Sequence, residues 1–95
     1  MSSTPPIDTG STPAIGRGFR LQWEDAQQSH VLLYPEGMVK LNGSAAEILK
    51  RCDGRRTVQQ IVADLETAFG ATGLTKDVTS FIEFALTKHW VELGR

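Results

Sequence analysis

HVLLYPEGMVKLNGSAAEIL, residues 30–49, holds two strands, the turn between them and the start of a helix. Pro35 suits the first corner of a turn and Gly37 tolerates left-handed backbone geometry, so Val31–Tyr34 and Met38–Leu41 read as paired antiparallel strands. Val31–Tyr34 is apolar on both faces, as at the centre of a sheet. Met38, Val39, Lys40 and Leu41 alternate and suit an edge. Asn42 and Gly43 break the strand, Ser44 is placed to cap the next helix, and Glu47 lies three positions on, where it closes a capping box.

Upstream, Phe19, Leu21 and Trp23 alternate with Arg20, Gln22 and Glu24, the period-two signature of a strand with one buried face. A polar turn, Asp25–Ser29, joins it to the next, and no fourth strand is evident. Residues 1–16 are mostly Ser, Thr, Pro and Gly, with Ile7 and Ile15 as the large aliphatics, which predicts a flexible tail ahead of a domain at 17–95.

Three helices are expected downstream. The first runs from about Ala45 to Arg51, with Ile48, Leu49 and Cys52 inward and Gly54 supplying a left-handed stop. Thr57 and Gln60 form a second capping-box pattern, opening a helix whose Val58, Ile61, Val62, Leu65, Ala68 and Phe69 recur at helical spacing and which Gly70 and Gly73 end. Thr75 is expected to cap the third, with Asp77 favourably placed in its first turn. Val78, Phe81, Ile82, Ala85, Leu86 and His89 form its apolar stripe. Phe84 falls outside that stripe and widens the apolar arc beyond what packing on one core requires, which suggests a second apolar duty.

At 95 residues the chain is one small domain with little core to enclose a deep catalytic cavity. A net charge of −1 gives no global pull toward nucleic acid or an anionic membrane. Cys52 is the single cysteine, no segment reads as a signal peptide, and no run approaches the length of a membrane helix, so a cytoplasmic protein is expected. His30, His89, Cys52 and Ser44 do not assemble into a base, nucleophile and orienter by spacing, and one Cys with two distant His gives no metal-ligand pairing. No catalytic residue, cofactor or metal is expected. Lys50, Arg51, Arg55 and Arg56 form a local basic cluster best read as a solvated turn at a helix end. Strands with three helices also fit a winged-helix DNA-binding regulator, but the third helix carries only Lys76 and Lys88 against Asp77 and Glu83, a poor footprint for phosphates. What remains is an edge strand beside a helix with surplus apolar surface, suited to an added peptide strand or covered by the chain itself or a second copy.

RGFRLQWEDAQQSHVLLYPEGMVKLNGSAAEIL, residues 17–49, followed by Cys52-Asp53-Gly54-Arg55-Arg56, closely resembles the pyrroloquinoline quinone biosynthesis protein D family. The likeness extends from about Arg17 to Val91 and includes Lys88 and Trp90. It implies an α+β, winged-helix-like fold, a three-stranded antiparallel sheet followed by a three-helix bundle. It also implies a non-catalytic peptide chaperone, which binds the leader of a ribosomal precursor peptide as an added strand and associates with the pathway's radical S-adenosylmethionine enzyme. Carried onto this chain, one wall of the groove is Met38, Val39, Lys40 and Leu41 and the other is Phe81, Phe84, Ala85 and Lys88, with Lys40 and Lys88 free to meet acidic leader residues. Pro35, Gly37, Asn42 and Gly54 are assigned to turn geometry. Without peptide, the unpaired edge invites a homodimer.

Overall fold

The computed structural model describes residues 7–94. Of the expected tail, residues 1–6 lie outside the described residues. The remainder departs from the expectation. Pro13–Ile15 is a strand, β1, pairing antiparallel with Val91–Leu93, β5, at the other end of the chain. The segment before it docks by backbone bonds, with Ser11 and Thr9 carbonyls accepting from Val58 and Gln59 and the Pro13 carbonyl accepting from Gly54. Ile7 donates to Glu83 at 3.0 Å and packs on the core. Thus the carbonyls of a polar segment find donors at a helix start, where backbone N–H groups lack partners.

Between β1 and β5 run β2 (Arg20–Glu24), β3 (Ser29–Tyr34), β4 (Gly37–Lys40) and three helices, α1 (Gly43–Lys50), α2 (Val58–Phe69) and α3 (Thr75–Thr87). This α+β arrangement has a three-stranded antiparallel sheet in the order β2-β3-β4 and the separate two-stranded sheet β1-β5. β3 is central, as its doubly apolar sequence requires, with Val31 and Leu32 fully buried. The hairpin closes on Tyr34 paired with Gly37 across Pro35-Glu36, with Gly37 near-extended at φ 157° rather than in the left-handed helical region.

Two caps move from where the sequence put them. Asn42, not Ser44, caps α1, its Oδ1 accepting from the Ala45 N–H at 2.8 Å. This leaves Glu47 to bind Arg51 and Lys50, at 2.9 and 3.1 Å, instead of closing a box. The α3 cap position is Leu74, one residue before Thr75, and no side chain caps it; the Leu74 N–H bonds instead to Glu66 Oε2 at 3.0 Å. The Thr57–Gln60 box forms in both directions, and Gly70 closes α2 in the left-handed region. Leu32, Leu49, Ile61 and Ile82 are the large side chains at the centre of the core, each contributing roughly 1.5–3 kcal/mol by burial. Ala68 and Phe69 fall outside that core, Phe69 being 58% exposed. His89 is likewise not part of the α3 stripe, for it stands exposed past the helix end at φ 64° and turns the chain toward β5. A Cβ on Gly16 would run into the His89 carbonyl, so glycine there is what lets the segment after β1 pass close to the turn at His89–Trp90.

Candidate functional site

The register of the sheet determines which backbone groups of β4 are free. Tyr34 pairs with Gly37, Leu32 with Val39, and Leu41 donates to the His30 carbonyl at 3.0 Å. In an antiparallel ladder the bonded pairs alternate, so Gly37, Val39 and Leu41 turn their backbone groups toward β3. Met38 and Lys40 turn theirs outward, to an edge with no strand beyond it among the described residues.

Side chains alternate too. Val39 lies on the face of Leu32 and packs against the core from the sheet side, while Met38 and Lys40 project from the opposite face, both exposed. Leu41 is 5% exposed and belongs to the core, so it is not a wall. The expected strand wall therefore divides: outward backbone at Met38 and Lys40, an inward side chain at Val39, and a core residue at Leu41.

On α3, Phe81, Phe84 and Lys88 share one side of the helix and meet around Trp90. The Phe84 ring is T-shaped on Trp90 at 5.5 Å and 85°, and Phe81 is tilted at 6.4 Å. Lys88 Nζ lies 5.6 Å from the Phe84 centroid, within cation–π range. Phe84 remains 47% exposed despite these neighbours, whereas Ala85 is wholly buried beneath the helix and presents nothing outward. Trp90, which the spacing of α3 does not place in the site, is the ring that holds the other two. Its own position is set by the closing sheet, where its carbonyl accepts from Gly16 N–H at 2.7 Å and its N–H donates to the Ala85 carbonyl at 2.9 Å.

Neither Lys40 nor Lys88 takes part in an ion pair among the described residues, so both cations face solvent near the site. The basic cluster after α1 is different. Lys50 and Arg51 are bound to Glu47, and Arg56 to Asp53 and Asp64, as expected of a solvated turn. Arg51 and Lys50 beside Glu47 hold its carboxyl below the usual range, and the Arg56 and Arg55 backbone N–H groups do the same for Asp53. Burial pushes the Cys52 thiol up to about 12, with the Asp53 charge adding to it, so the group is a packed neutral thiol. His30 stands edge-on to Trp23 at 5.2 Å. Trp23 itself is 49% exposed, outside the buried face its alternation suggested. The described residues contain no grouping of His, Cys, Asp and Glu suited to a metal ion, and no helix long and apolar enough to cross a membrane.

This arrangement is an open β edge, an aromatic ledge and two lysines outside any ion pair among the described residues. The family described as coenzyme PQQ synthesis protein D (PqqD) matches residues 29–91, which span β3 to the start of β5. The chain belongs to the PqqD family. Among PqqD relatives, the PqqA binding protein of Pseudomonas aeruginosa strain PAO1 is 54% identical over 92 residues, covering 96% of this chain and 98% of that one. The PqqA binding protein of Stutzerimonas stutzeri strain A1501 is 52% identical over 88 residues, covering 92% and 96%. A solution NMR structure of the PqqD truncation of Methylobacterium extorquens PqqCD, described as a functional, stand-alone recognition element for ribosomally synthesized and post-translationally modified peptides, superposes with a TM-score of 0.73. It is 31% identical and covers 92% of this chain and 96% of that one.

Proposed function

We propose that this chain is a peptide chaperone of coenzyme PQQ synthesis, binding the ribosomal precursor peptide PqqA as an added strand along β4. The observation that carries the reading is the outward backbone of Met38 and Lys40 in a chain 54% identical to a PqqA binding protein. An added strand pairs with those two residues, and its side chains on the inner face reach toward Val39 and the Phe81–Phe84 ledge. What supports the second wall is that Val39 and Phe81 pack against the same core, from sheet and helix. Lys40 and Lys88 supply the charge for acidic peptide residues. The sheet is then the wing of a winged-helix-like domain turned to peptide binding.

We further propose that the chain performs no chemistry and presents the peptide to the radical S-adenosylmethionine enzyme of the pathway. The buried Cys52 thiol and the His30 ring set edge-on to Trp23 fit structural roles, which supports binding as the task. Calorimetric titration of the full chain with PqqA, with and without that enzyme, tests both statements. Saturable binding of peptide alone, and a ternary complex on adding enzyme, is the expected result; no heat of binding with peptide refutes the reading.

A further inference from the structure

Trp90 belongs to no helix or strand, yet the aromatic ledge rests on it. Its backbone has two anchors. One is local, the bond from its N–H to the Ala85 carbonyl at 2.9 Å. The other comes from the opposite end of the chain, where the Gly16 N–H donates to the Trp90 carbonyl at 2.7 Å. His89, between α3 and Trp90, sits at φ 64°, a left-handed conformation that a non-glycine residue keeps only when its surroundings hold it. Buried Gly16 is part of those surroundings, for a Cβ there would run into the His89 carbonyl and come within 3.2 Å of the Trp90 carbonyl carbon.

The segment around Gly16 is fastened on both sides. Arg17 N–H donates to Glu92 Oε2 at 2.6 Å, and Ile15 pairs with Val91, the residue after Trp90. Upstream the segment is bonded to Gly54 and to the start of α2, and Ile7 reaches Glu83 of α3. Glu83 lies two residues after Phe81, about 200° around the helix, so the segment meets α3 on the side away from the ledge. We propose that residues 7–16 are a positioning element of the peptide site, in which Gly16, by anchoring Trp90, holds Phe81 and Phe84 in the orientation that an added strand meets.

The proposal rests on peptide binding between β4 and the ledge, and it gives a part in that binding to a segment that pairs with β5 rather than with β4. Phe84 shows why an anchor matters. Its ring is 47% exposed, and its aromatic partner is Trp90, met edge-on. A Trp90 freed at its carbonyl no longer fixes that ring, and a peptide must then order the ledge as it binds. An edge-on aromatic pair is worth enough for this loss of preorganisation to weaken binding roughly twofold to tenfold. The backbone of β4 is set separately, by its ladder with β3, so the outward groups of Met38 and Lys40 are unaffected. Gly16 thus acts on the ledge and not on the strand edge.

The test is a double-mutant cycle on the full chain, with Gly16→Ala and Glu92→Ala each made alone and combined with Phe84→Ala. Gly16→Ala forces the Trp90 anchor apart. Glu92→Ala, at an exposed residue, removes the neighbouring Arg17 bond and carries the same test in a chain that stays folded if Gly16→Ala does not. Ring-to-ring nuclear Overhauser effects between Trp90 and Phe84 are measured in the free chains that retain Phe84, and PqqA is titrated into all of them. Both variants should weaken the ring contacts. The PqqA Kd should rise roughly threefold to tenfold for Gly16→Ala and by less for Glu92→Ala, with Met38 and Lys40 amides still protected in the complex. In the Phe84→Ala background each change should cost clearly less than it does in wild type, because the ring it positions is gone. A general loss of stability would not depend on Phe84 in this way. Unchanged ring contacts, unchanged affinity, or losses that multiply in full in the combined variants overturn the proposal. A wild type that does not bind PqqA overturns the peptide reading instead, and the ring contacts of the free chains still decide whether Gly16 positions Trp90.

Discussion

Proline substitutions at adjacent positions of β4 should have opposite consequences. Val39 donates inward to the carbonyl of Leu32, a residue with no exposed surface. Val39→Pro removes that ladder bond, leaves a buried carbonyl unpaired and costs about 3 kcal/mol. For a domain of this size that lowers Tm by roughly 12–24 °C. Lys40 turns its N–H outward to water, and the residue before it is already in extended geometry, which a following proline favours. Lys40→Pro should therefore shift Tm by only a few degrees. In the complex, however, it deprives a peptide carbonyl of its donor, a loss of about 1–3 kcal/mol or roughly tenfold to a hundredfold in affinity. Lys40→Ala keeps the N–H and reports the side chain alone. Thermal unfolding and PqqA titration of the three variants separate these effects. Wild-type peptide affinity in a folded Lys40→Pro variant would refute strand addition along β4.

Phe84→Ala should lower peptide affinity while reducing stability by only about 1 kcal/mol, the scale of its edge contact with Trp90, because the ring is already half exposed; parallel titration and melting compare the two losses. Thr57→Ala breaks a capping box and should cost about 1 kcal/mol, seen as a Tm drop of roughly 4–8 °C with peptide affinity unchanged. Cys52 should resist thiol reagents at pH 8 in the native chain and react at the rate of opening. Since its pKa is raised to about 12 on folding, the unfolded chain loses the proton first, and stability should fall as pH rises from about 9 toward 12. The depressed Glu47 and Asp53 act in the other direction, contributing above their unfolded pKa values and losing that contribution as pH falls through the folded ones.

What the sequence made legible was local. The β3–β4 hairpin, the Thr57–Gln60 box and the α2 stripe from Val58 to Leu65 are each specified within a dozen residues, and all three form, whereas Ala68 and Phe69 at the end of the expected stripe stay exposed. The surplus arc on α3 likewise emerges as the exposed Phe84. The β1–β5 sheet was hidden because Pro13–Ile15 and Val91–Leu93 are three residues each and find their pairing only across the length of the chain. Asn42 and Ser44 are both good caps, and only the path of the chain out of β4 decides for Asn42. The site was legible as residue types but not as directions. Alternation along β4 alone does not reveal which backbone groups are free; the Tyr34–Gly37 closure and the Leu41–His30 bond supply that. Trp90 was visible as an aromatic, yet its role at the ledge depends on the fold of the chain past His89.

Strand addition along β4 is tested most directly by amide hydrogen exchange of the full chain with and without PqqA. In the free chain the Val39 and Leu41 amides are bonded to β3 and should already be slow, while those of Met38 and Lys40 exchange fast. Saturation with peptide should slow Met38 and Lys40 selectively, producing protection at every position from 38 to 41. Met38 and Lys40 amides that stay fast in a saturated complex would contradict it.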